Sequence, residues 1–149
     1  MNELDALYRE LILDHSKHPQ HFGLPAGDAP AHTGESYQKN PVCGDEITLR
    51  ARVDGETVAD VVWEGRGCSI SQASASMLAD LVAEEGLSRT ETVALIEGFR
   101  EALRSRGQLE LDEEVYGDAA ALSGVSKFSA RVKCAMLAWV ALEDAIAKA

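Results

Sequence analysis

The 149-residue sequence has little positive charge and no long apolar run. Lys and Arg number 14 against 25 Asp and Glu, which gives a formal net charge of −11. Such a chain repels phosphate backbones, so we expect no nucleic-acid binding. No apolar stretch approaches the roughly 18 residues of a membrane-spanning helix. The acidic, amphipathic start lacks the basic and apolar blocks of a signal peptide. We therefore expect a cytoplasmic protein that does not enter a membrane.

Cysteine is also scarce, since the chain has only 3. An odd number of thiols cannot pair completely within one chain, so in a reducing compartment they should be free or bound to metal. Each cysteine lies in a distinctive frame: Cys43 within NPVCGD, Cys68 within GRGCS and Cys134 within RVKCA. Wide separation and neighbouring turn or helix signals favour one spatial cluster over a disulfide framework.

Apolar periodicity predicts the first half of the fold. A stripe of leucine and isoleucine indicates a helix over residues 2–15, with Asn2 as its N-cap. A surface loop should follow over residues 20–36. Strict alternation over residues 47–53 indicates a half-buried strand, and Asp54-Gly55 indicates a hairpin to a return strand over 57–64. A further strand over 35–39 is only weakly marked.

The second half has a helical pattern. Ser69 with Gln72, and Ser88 with Glu91, have capping-box spacing and predict two helix starts. Gly86 is the expected C-cap of the first. Residues 104–124 form an irregular insertion with a short turn near Tyr116, and a last helix runs from about residue 126 to the end. The apolar stripes of the last two helices are Val93, Ile96, Phe99 and Leu103, and Phe128, Val132, Ala135, Trp139, Leu142 and Ile146.

These elements predict an α+β fold. A small antiparallel three-stranded sheet should pack against several helices within a single domain covering residues 1–149. The length and the 46% hydrophobic content suit one ordinary domain with its own core.

The cysteines predict a metal site that is completed by a carboxylate. Three thiolates with Asp45, two residues after Cys43, make a donor set that suits tetrahedral zinc. Cys68 should lie at a helix N-terminus, where free backbone N–H groups favour a thiolate, and Gly67 before it allows close backbone approach. Arg131, one helical turn before Cys134, would offset the excess negative charge of such a site.

Each residue also has an ordinary structural interpretation. Cys134 suits a helix core, and Cys68 is small enough for a tight turn. Asp45 suits a solvated turn, and Arg131 suits a helix surface. A metal role for His15 with His18 has less support than their closing a helix C-terminus, where positive charge is favoured. The joint occurrence of the three cysteine frames is what favours the metal site.

At these residues the sequence resembles the IscU and SufU family of iron–sulfur cluster assembly proteins, which is also described as NifU N-terminal-like. The resemblance covers nearly the whole chain, including an opening segment around Ile12 and His18. It is closer to the SufU type, because Lys133 stands where IscU proteins carry a histidine before the third cysteine. The gap between Cys68 and Cys134 is also longer than in IscU, and the extra length falls near the insertion at 104–124.

The resemblance implies zinc ligation by Cys43, Asp45, Cys68 and Cys134. It also implies a sulfurtransferase role, in which Cys43 accepts persulfide sulfur from a PLP-dependent cysteine desulfurase of the SufS type. Downstream iron–sulfur assembly proteins would be further partners, and Arg131 would act near the metal.

Two alternatives remain open at this point. The same cysteines would suit a scaffold that assembles a transient iron–sulfur cluster, because thiolates bind iron as well as zinc. A structural zinc domain that binds a protein partner is the second alternative, although an aspartate ligand is less typical of structural zinc.

Overall fold

The computed structural model describes residues 3–41 and 44–149, with side-chain burial from residue 5 onward. The predicted N-cap Asn2 and the predicted sulfur acceptor Cys43 therefore lie outside the described residues. Within them, no helix is long and apolar enough to cross a membrane.

One antiparallel sheet of three strands forms a layer of the fold, as predicted, with the strands in sequence order. The middle strand alternates buried and half-buried side chains along its length. The hairpin after it turns through Gly55, whose φ of 63° suits glycine, as the Asp54-Gly55 pair predicted. The strands are β1 (Thr33–Lys39), β2 (Glu46–Asp54) and β3 (Thr57–Arg66).

The predicted loop over residues 20–36 is too long, because β1 already begins at Thr33. Its buried positions carry Gly34 and Ser36 instead of the large apolar side chains that mark a strand. A Cβ atom on Gly34 would overlap the carbonyl of Ala145 in the last helix. The strand is weakly marked because its inner face must be small where a helix packs closely on it.

Five α-helices and one 3-10 helix account for most of the remaining described chain. The last helix packs on the first two strands and on the second helix, and the first helix packs on the second. The helices are α1 (Glu3–Lys17), α2 (Ser69–Glu85), α3 (Arg89–Arg104), α4 (Glu113–Tyr116), the 3-10 helix (Gly117–Lys127) and α5 (Ser129–Lys148).

Only one of the two predicted capping boxes forms. Ser88 Oγ accepts from the backbone N–H of Glu91 at 3.0 Å, and Glu91 Oε1 accepts from the backbone N–H of Ser88 at 3.0 Å. At α2 the helix begins right after Cys68, as predicted, but the predicted capping box is absent, since Ser69 is already helical and the N-cap Cys68 makes no side-chain capping bond. The predicted C-cap of α2 is confirmed, because Gly86 takes the left-handed conformation.

The segment over residues 104–124, predicted to be irregular, is more ordered than the sequence predicts. It contains α4 and most of the 3-10 helix, and it buries Leu111, Tyr116 and Leu122 in the core. The Tyr116 hydroxyl donates to the carbonyl of Leu95 in α3 at 2.9 Å. A 3-10 helix has three residues per turn, so it lacks the 3.6-residue period by which α-helices are recognised.

The core lies between the sheet and the helices. Phe99 and Trp139 stack with ring centroids 3.7 Å apart, and Trp63 is also fully buried. Two stripe predictions were wrong: Val93 is 39% exposed and Phe128 is 63% exposed. Phe128 is the N-cap that precedes α5, so it lies outside the helix and the 3.6-residue period does not predict which way its side chain faces.

Candidate metal centre

The connection between β1 and β2 positions Asp45. The backbone N–H of Asn40 donates to the carbonyl of Asp45 at 2.8 Å, and that of Gly44 donates to the carbonyl of Asn40 at 2.8 Å. These bonds close the turn just before β2 begins. They bury the Asp45 side chain to 1% exposure, which an uncompensated carboxylate would not tolerate.

Asp45 is compensated by the N-terminus of α2. Its Oδ1 accepts from the backbone N–H of Cys68 at 2.9 Å, and its Oδ2 lies 3.5 Å from Cys68 Sγ. One carboxylate oxygen is thus fixed by the backbone while the other faces the thiol. Sequence analysis predicted both residues in the site but not this bond between them, and no local signal in the sequence shows it.

Gly67 permits that close approach. An added Cβ would lie 2.7 Å from Asp45 Cγ and 2.7 Å from Ser71 Oγ. Its φ of 156° also lies where side chains are rarely found. The glycine before Cys68, which the sequence marked as a place for close backbone approach, makes room for the carboxylate.

Cys68 lies at the start of α2 with the Asp45 carboxylate beside its sulfur. It is the half-buried N-cap of α2, and the first turn of that helix holds no acidic residue. No side chain within the helix caps this start, and the Asp45 carboxylate from the β1–β2 turn accepts from the Cys68 N–H in its place.

Cys134 reaches the same point from α5. It is 1% exposed, and its sulfur lies 3.9 Å from the carbonyl of Ala130, one turn earlier in the helix. Because α5 packs on both α2 and the sheet, a residue in its second turn can face the start of α2 and the end of the β1–β2 turn.

Asp45, Cys68 and Cys134 form a candidate metal site. One ligand atom from each lies within 4.8 Å of the others. In a tetrahedral zinc site, sulfur ligands at about 2.3 Å from the metal are about 3.8 Å apart, so small side-chain movements suffice. Two thiols and a carboxylate are donors that zinc accepts. The described residues thus fit the metal that the sequence predicted, with three of its four predicted ligands brought together.

Comparison with known proteins places this site in a family. Residues 7–135 match the family model described as NifU-like N terminal domain. The chain belongs to this family. As the sequence predicted, it is of the IscU and SufU type, whose members serve iron–sulfur cluster assembly.

Relatives of both types are similar over nearly the whole domain. One is the "Zinc-dependent sulfurtransferase SufU" of Bacillus subtilis, 40% identical, with 97% of this chain and 92% of that protein covered. Another is the "Iron-sulfur cluster assembly scaffold protein IscU" of Streptococcus pyogenes, 40% identical, covering 98% of this chain and 86% of that protein. A solved SufU structure from Fervidobacterium islandicum has a TM-score of 0.79 at 32% identity, with 92% of this chain and 94% of that one covered.

A network of polar side chains links the three strands beside the candidate site of this NifU-like domain. Tyr37 donates its hydroxyl to Glu46 Oε2 at 2.8 Å, and Arg66 Nε pairs with Glu46 Oε1 at 2.7 Å. The hydrogen bond from Tyr37, with Arg66 nearby, lowers the pKa of Glu46. This network joins β1, β2 and β3 next to Asp45.

Arg131 and Lys133 lie within three residues of Cys134 in the sequence. Both are exposed on the first turns of α5, and Arg131 makes no salt bridge with any residue that the structure describes. Lys133 borders a cleft of about 230 Å³ with Lys39. The apolar side of that cleft is formed by Met136, Leu137 and Val140.

Among the residues that the structure describes, the candidate metal cluster includes no histidine. His15 is buried, with Nδ1 2.7 Å from Ser76 Oγ and Nε2 2.9 Å from Asp118 Oδ2. It therefore links α1, α2 and the 3-10 helix, whereas the sequence predicted only that it closes a helix C-terminus. Only the partners from distant parts of the chain reveal this role.

Proposed function

We propose that the protein is a zinc-dependent sulfur acceptor that takes persulfide sulfur from a PLP-dependent cysteine desulfurase of the SufS type. The observation that carries the proposal is the convergence of Asp45, Cys68 and Cys134, whose ligand atoms lie within 4.8 Å of one another. The similarity to the zinc-dependent sulfurtransferase SufU of Bacillus subtilis supports the zinc-dependent transfer activity. The sulfur would then pass to downstream iron–sulfur assembly proteins, in the cytoplasm.

In the proposal, Cys43 completes the zinc site, because it stands two residues before Asp45 in the sequence. Zinc supplies a positive charge that keeps its ligand thiols deprotonated at neutral pH. Among the four proposed ligands, the Asp45 carboxylate binds zinc less strongly than the thiolates. Its Oδ1 also already accepts a hydrogen bond from the Cys68 N–H. Arg131 serves as a nearby cation, since a site with three thiolates and one carboxylate retains excess negative charge around a divalent ion.

The proposed transfer is a thiol exchange on a persulfide. The Cys43 thiolate attacks the outer sulfur of the donor's persulfide, a new S–S bond forms to Cys43, and the donor cysteine leaves as a thiolate. Atoms and charge balance without an added oxidant or reductant. Cys68 and Cys134 hold the site together and keep their sulfurs away from the donor, because Cys134 is buried and Cys68 is half-buried.

A protein donor needs a surface beside the thiols. The cleft with Lys39 and Lys133 on its border and Leu137 within it offers two cations and apolar area on an otherwise acidic protein. Positive groups on an acidic chain favour a local acidic partner surface. We assign this cleft to the desulfurase side of the complex.

The decisive experiment measures zinc and sulfur on the same protein. Purified protein is analysed for metals, incubated with a cysteine desulfurase and cysteine, and examined by mass spectrometry. We expect one zinc per chain and added sulfur on Cys43. Cys43→Ala should take up no persulfide, while the matched surface variant Ser129→Ala should behave as wild type. Sulfur uptake or desulfurase stimulation that survives in Cys43→Ala would contradict the acceptor role.

A scaffold for a transient iron–sulfur cluster is the second candidate, favoured by the similarity to the scaffold protein IscU of Streptococcus pyogenes. The same thiolates, Cys43, Cys68 and Cys134, would then bind iron, with Asp45 completing the site. Anaerobic reconstitution in the presence of zinc separates the two functions. A stable chromophore that transfers to an apo-ferredoxin, without persulfide on Cys43, would favour the scaffold.

A further inference from the structure

A second cleft lies at the other end of α2, far from the thiols. It has a volume of about 450 Å³ and is formed where the end of α2, the start of α3 and α4 meet. α2 contains 17 residues, so at about 1.5 Å per residue its two ends are about 25 Å apart. A molecule bound in this cleft would leave Cys68 accessible.

The walls of this cleft are fixed by contacts within the core. Tyr116 donates its hydroxyl to the Leu95 carbonyl at 2.9 Å, which holds α4 against α3. A Cβ on Gly98 would overlap that hydroxyl, so α3 and α4 are in close contact there. Gly86 ends α2 in the left-handed conformation. The cleft therefore exists before any partner binds, which reduces the entropy loss on binding.

The interior of the cleft is apolar and partly exposed. Leu81 and Leu87 are half-buried, and Val115 on α4 is 51% exposed. Val115 is a large apolar side chain left in water on a helix of only four residues. Exposed apolar area of this kind beside a preformed cleft is typical of a contact surface.

The border of the cleft is uniformly acidic. Glu85, Glu91 and Glu114 line it, and no Lys, Arg or His does so. The nearest cation in the sequence, Arg89, is directed elsewhere, because its Nη2 donates to the Ile146 carbonyl at 3.1 Å. Glu113 and Glu110 contribute to the raised pKa of the nearby Tyr8, after the effect of burial. The negative potential thus extends beyond the border itself.

We infer that this acidic cleft docks a basic amphipathic helical segment of a partner protein. Apolar side chains of the segment would enter between Leu87 and Val115, and its Lys or Arg side chains would pair with Glu85 and Glu114. This is the helix-in-groove mode of recognition. Charge argues against a second copy of this chain as the occupant, because a chain with net charge −11 repels itself. The inference does not depend on the sulfur chemistry.

The test uses a fluorescent helical peptide of roughly 16 residues, with leucines on one face and lysines beside them. Anisotropy titration with the zinc-loaded full chain measures affinity. Glu85→Lys with Glu114→Lys should weaken binding by about tenfold or more, because two charge pairs are reversed. The matched reversal Asp28→Lys with Glu64→Lys changes net charge equally at exposed sites away from the cleft, and should weaken binding by less than about twofold.

Two further measurements make the test specific. A peptide with serine in place of leucine should bind far more weakly, since its apolar contacts are lost. Amide NMR shifts on the wild-type protein should concentrate at Leu87 and Val115, which requires no variant to fold. The inference fails if the wild type does not bind the peptide. It also fails if both reversals weaken binding equally, because attraction would then follow net charge, or if the shifts concentrate elsewhere.

Discussion

The two ends of α2 are built differently. At its N-terminus the N-cap is Cys68, which makes no side-chain capping bond, and the first turn has no acidic residue. At the neighbouring start of α3, by contrast, Ser88 and Glu91 form a complete capping box. The C-terminus of α2 ends in an ordinary left-handed Gly86. One end thus follows the common rules of helix termination and the other departs from them.

The departure occurs where the candidate site lies. A serine or aspartate at position 68 would satisfy the N–H groups of the first turn and stabilise the helix by about 1 kcal/mol. With cysteine there, the carboxylate of Asp45 arrives from the β1–β2 turn and accepts from the Cys68 N–H instead. The site therefore supplies its own helix cap from a distant part of the chain, which couples local stability to the geometry of the candidate metal ligands.

The largest expected effect follows from Gly67→Ala, because the new Cβ would collide with Asp45 and Ser71. We expect a loss of about 1–3 kcal/mol in unfolding free energy from the forced shift. Zinc affinity should fall about 10–100-fold as well, since the ligand orientation is disturbed. Urea denaturation and competition with a chromophoric chelator measure the two effects.

Gly124→Ala is the matched control for that substitution. A Cβ there meets nothing within 4 Å, so stability should not fall and should rise by at most about 1 kcal/mol, and zinc affinity should not change. If Gly67→Ala behaves like Gly124→Ala, the coupling between the helix start and the metal ligands is absent.

Asp45→Asn tests the charge of the carboxylate separately from its hydrogen bond. The amide oxygen can still accept from the Cys68 N–H, so the fold should be retained. Zinc affinity should nevertheless fall about 10–100-fold, because a neutral oxygen replaces an anionic donor. Chelator competition measures the change, with the exposed Asp28→Asn as control. Unchanged zinc affinity in Asp45→Asn would show that this carboxylate is not a ligand.

His15→Ala should reduce stability without changing the metal site. The substitution removes the contacts of His15 with Ser76 and Asp118, and we expect a loss of about 2–3 kcal/mol. His18→Ala, at an exposed position one turn later, should be nearly neutral. Thermal unfolding measures stability, and elemental analysis should find the same zinc content in all three proteins. Loss of zinc in His15→Ala at temperatures where it is folded would contradict a purely structural role.

Sequence periodicity was sufficient to predict the elements whose packing faces are apolar. β2 alternates as predicted, β3 forms the predicted return strand, and the stripe around Ile96 and Phe99 is buried. Periodicity did not predict the elements that pack against their neighbours through small residues. β1 buries Gly34 and Ser36, and the 3-10 helix buries a run of alanines from Ala119 to Ala121. Small side chains permit close packing but leave no hydrophobic pattern to detect.

The sequence predicted that Asp45, Cys68 and Cys134 belong to one site, and the structure brings them together, but the sequence did not predict the contacts that support them. Asp45, Cys68 and Cys134 carry donor atoms, and their frames drew attention to them in the sequence. The bond from the Cys68 N–H to Asp45 and the His15 contacts join residues far apart in the chain. Such pairings depend on how the elements pack, which a single sequence does not specify. Cys43 and the role of Arg131 remain predictions.

The smallest expected effect compares two serines that have the same sequence pattern. Ser88→Ala removes the acceptor for the Glu91 N–H and should lower the unfolding free energy by about 1 kcal/mol. Ser69→Ala should change stability by only a few tenths, because Ser69 is already inside α2 and caps nothing. Urea denaturation resolves the difference, and zinc affinity should stay unchanged in Ser88→Ala. Equal losses in the two variants would mean that Ser69 does cap α2, and the contrast between the Cys68 start and the Ser88 start would then disappear.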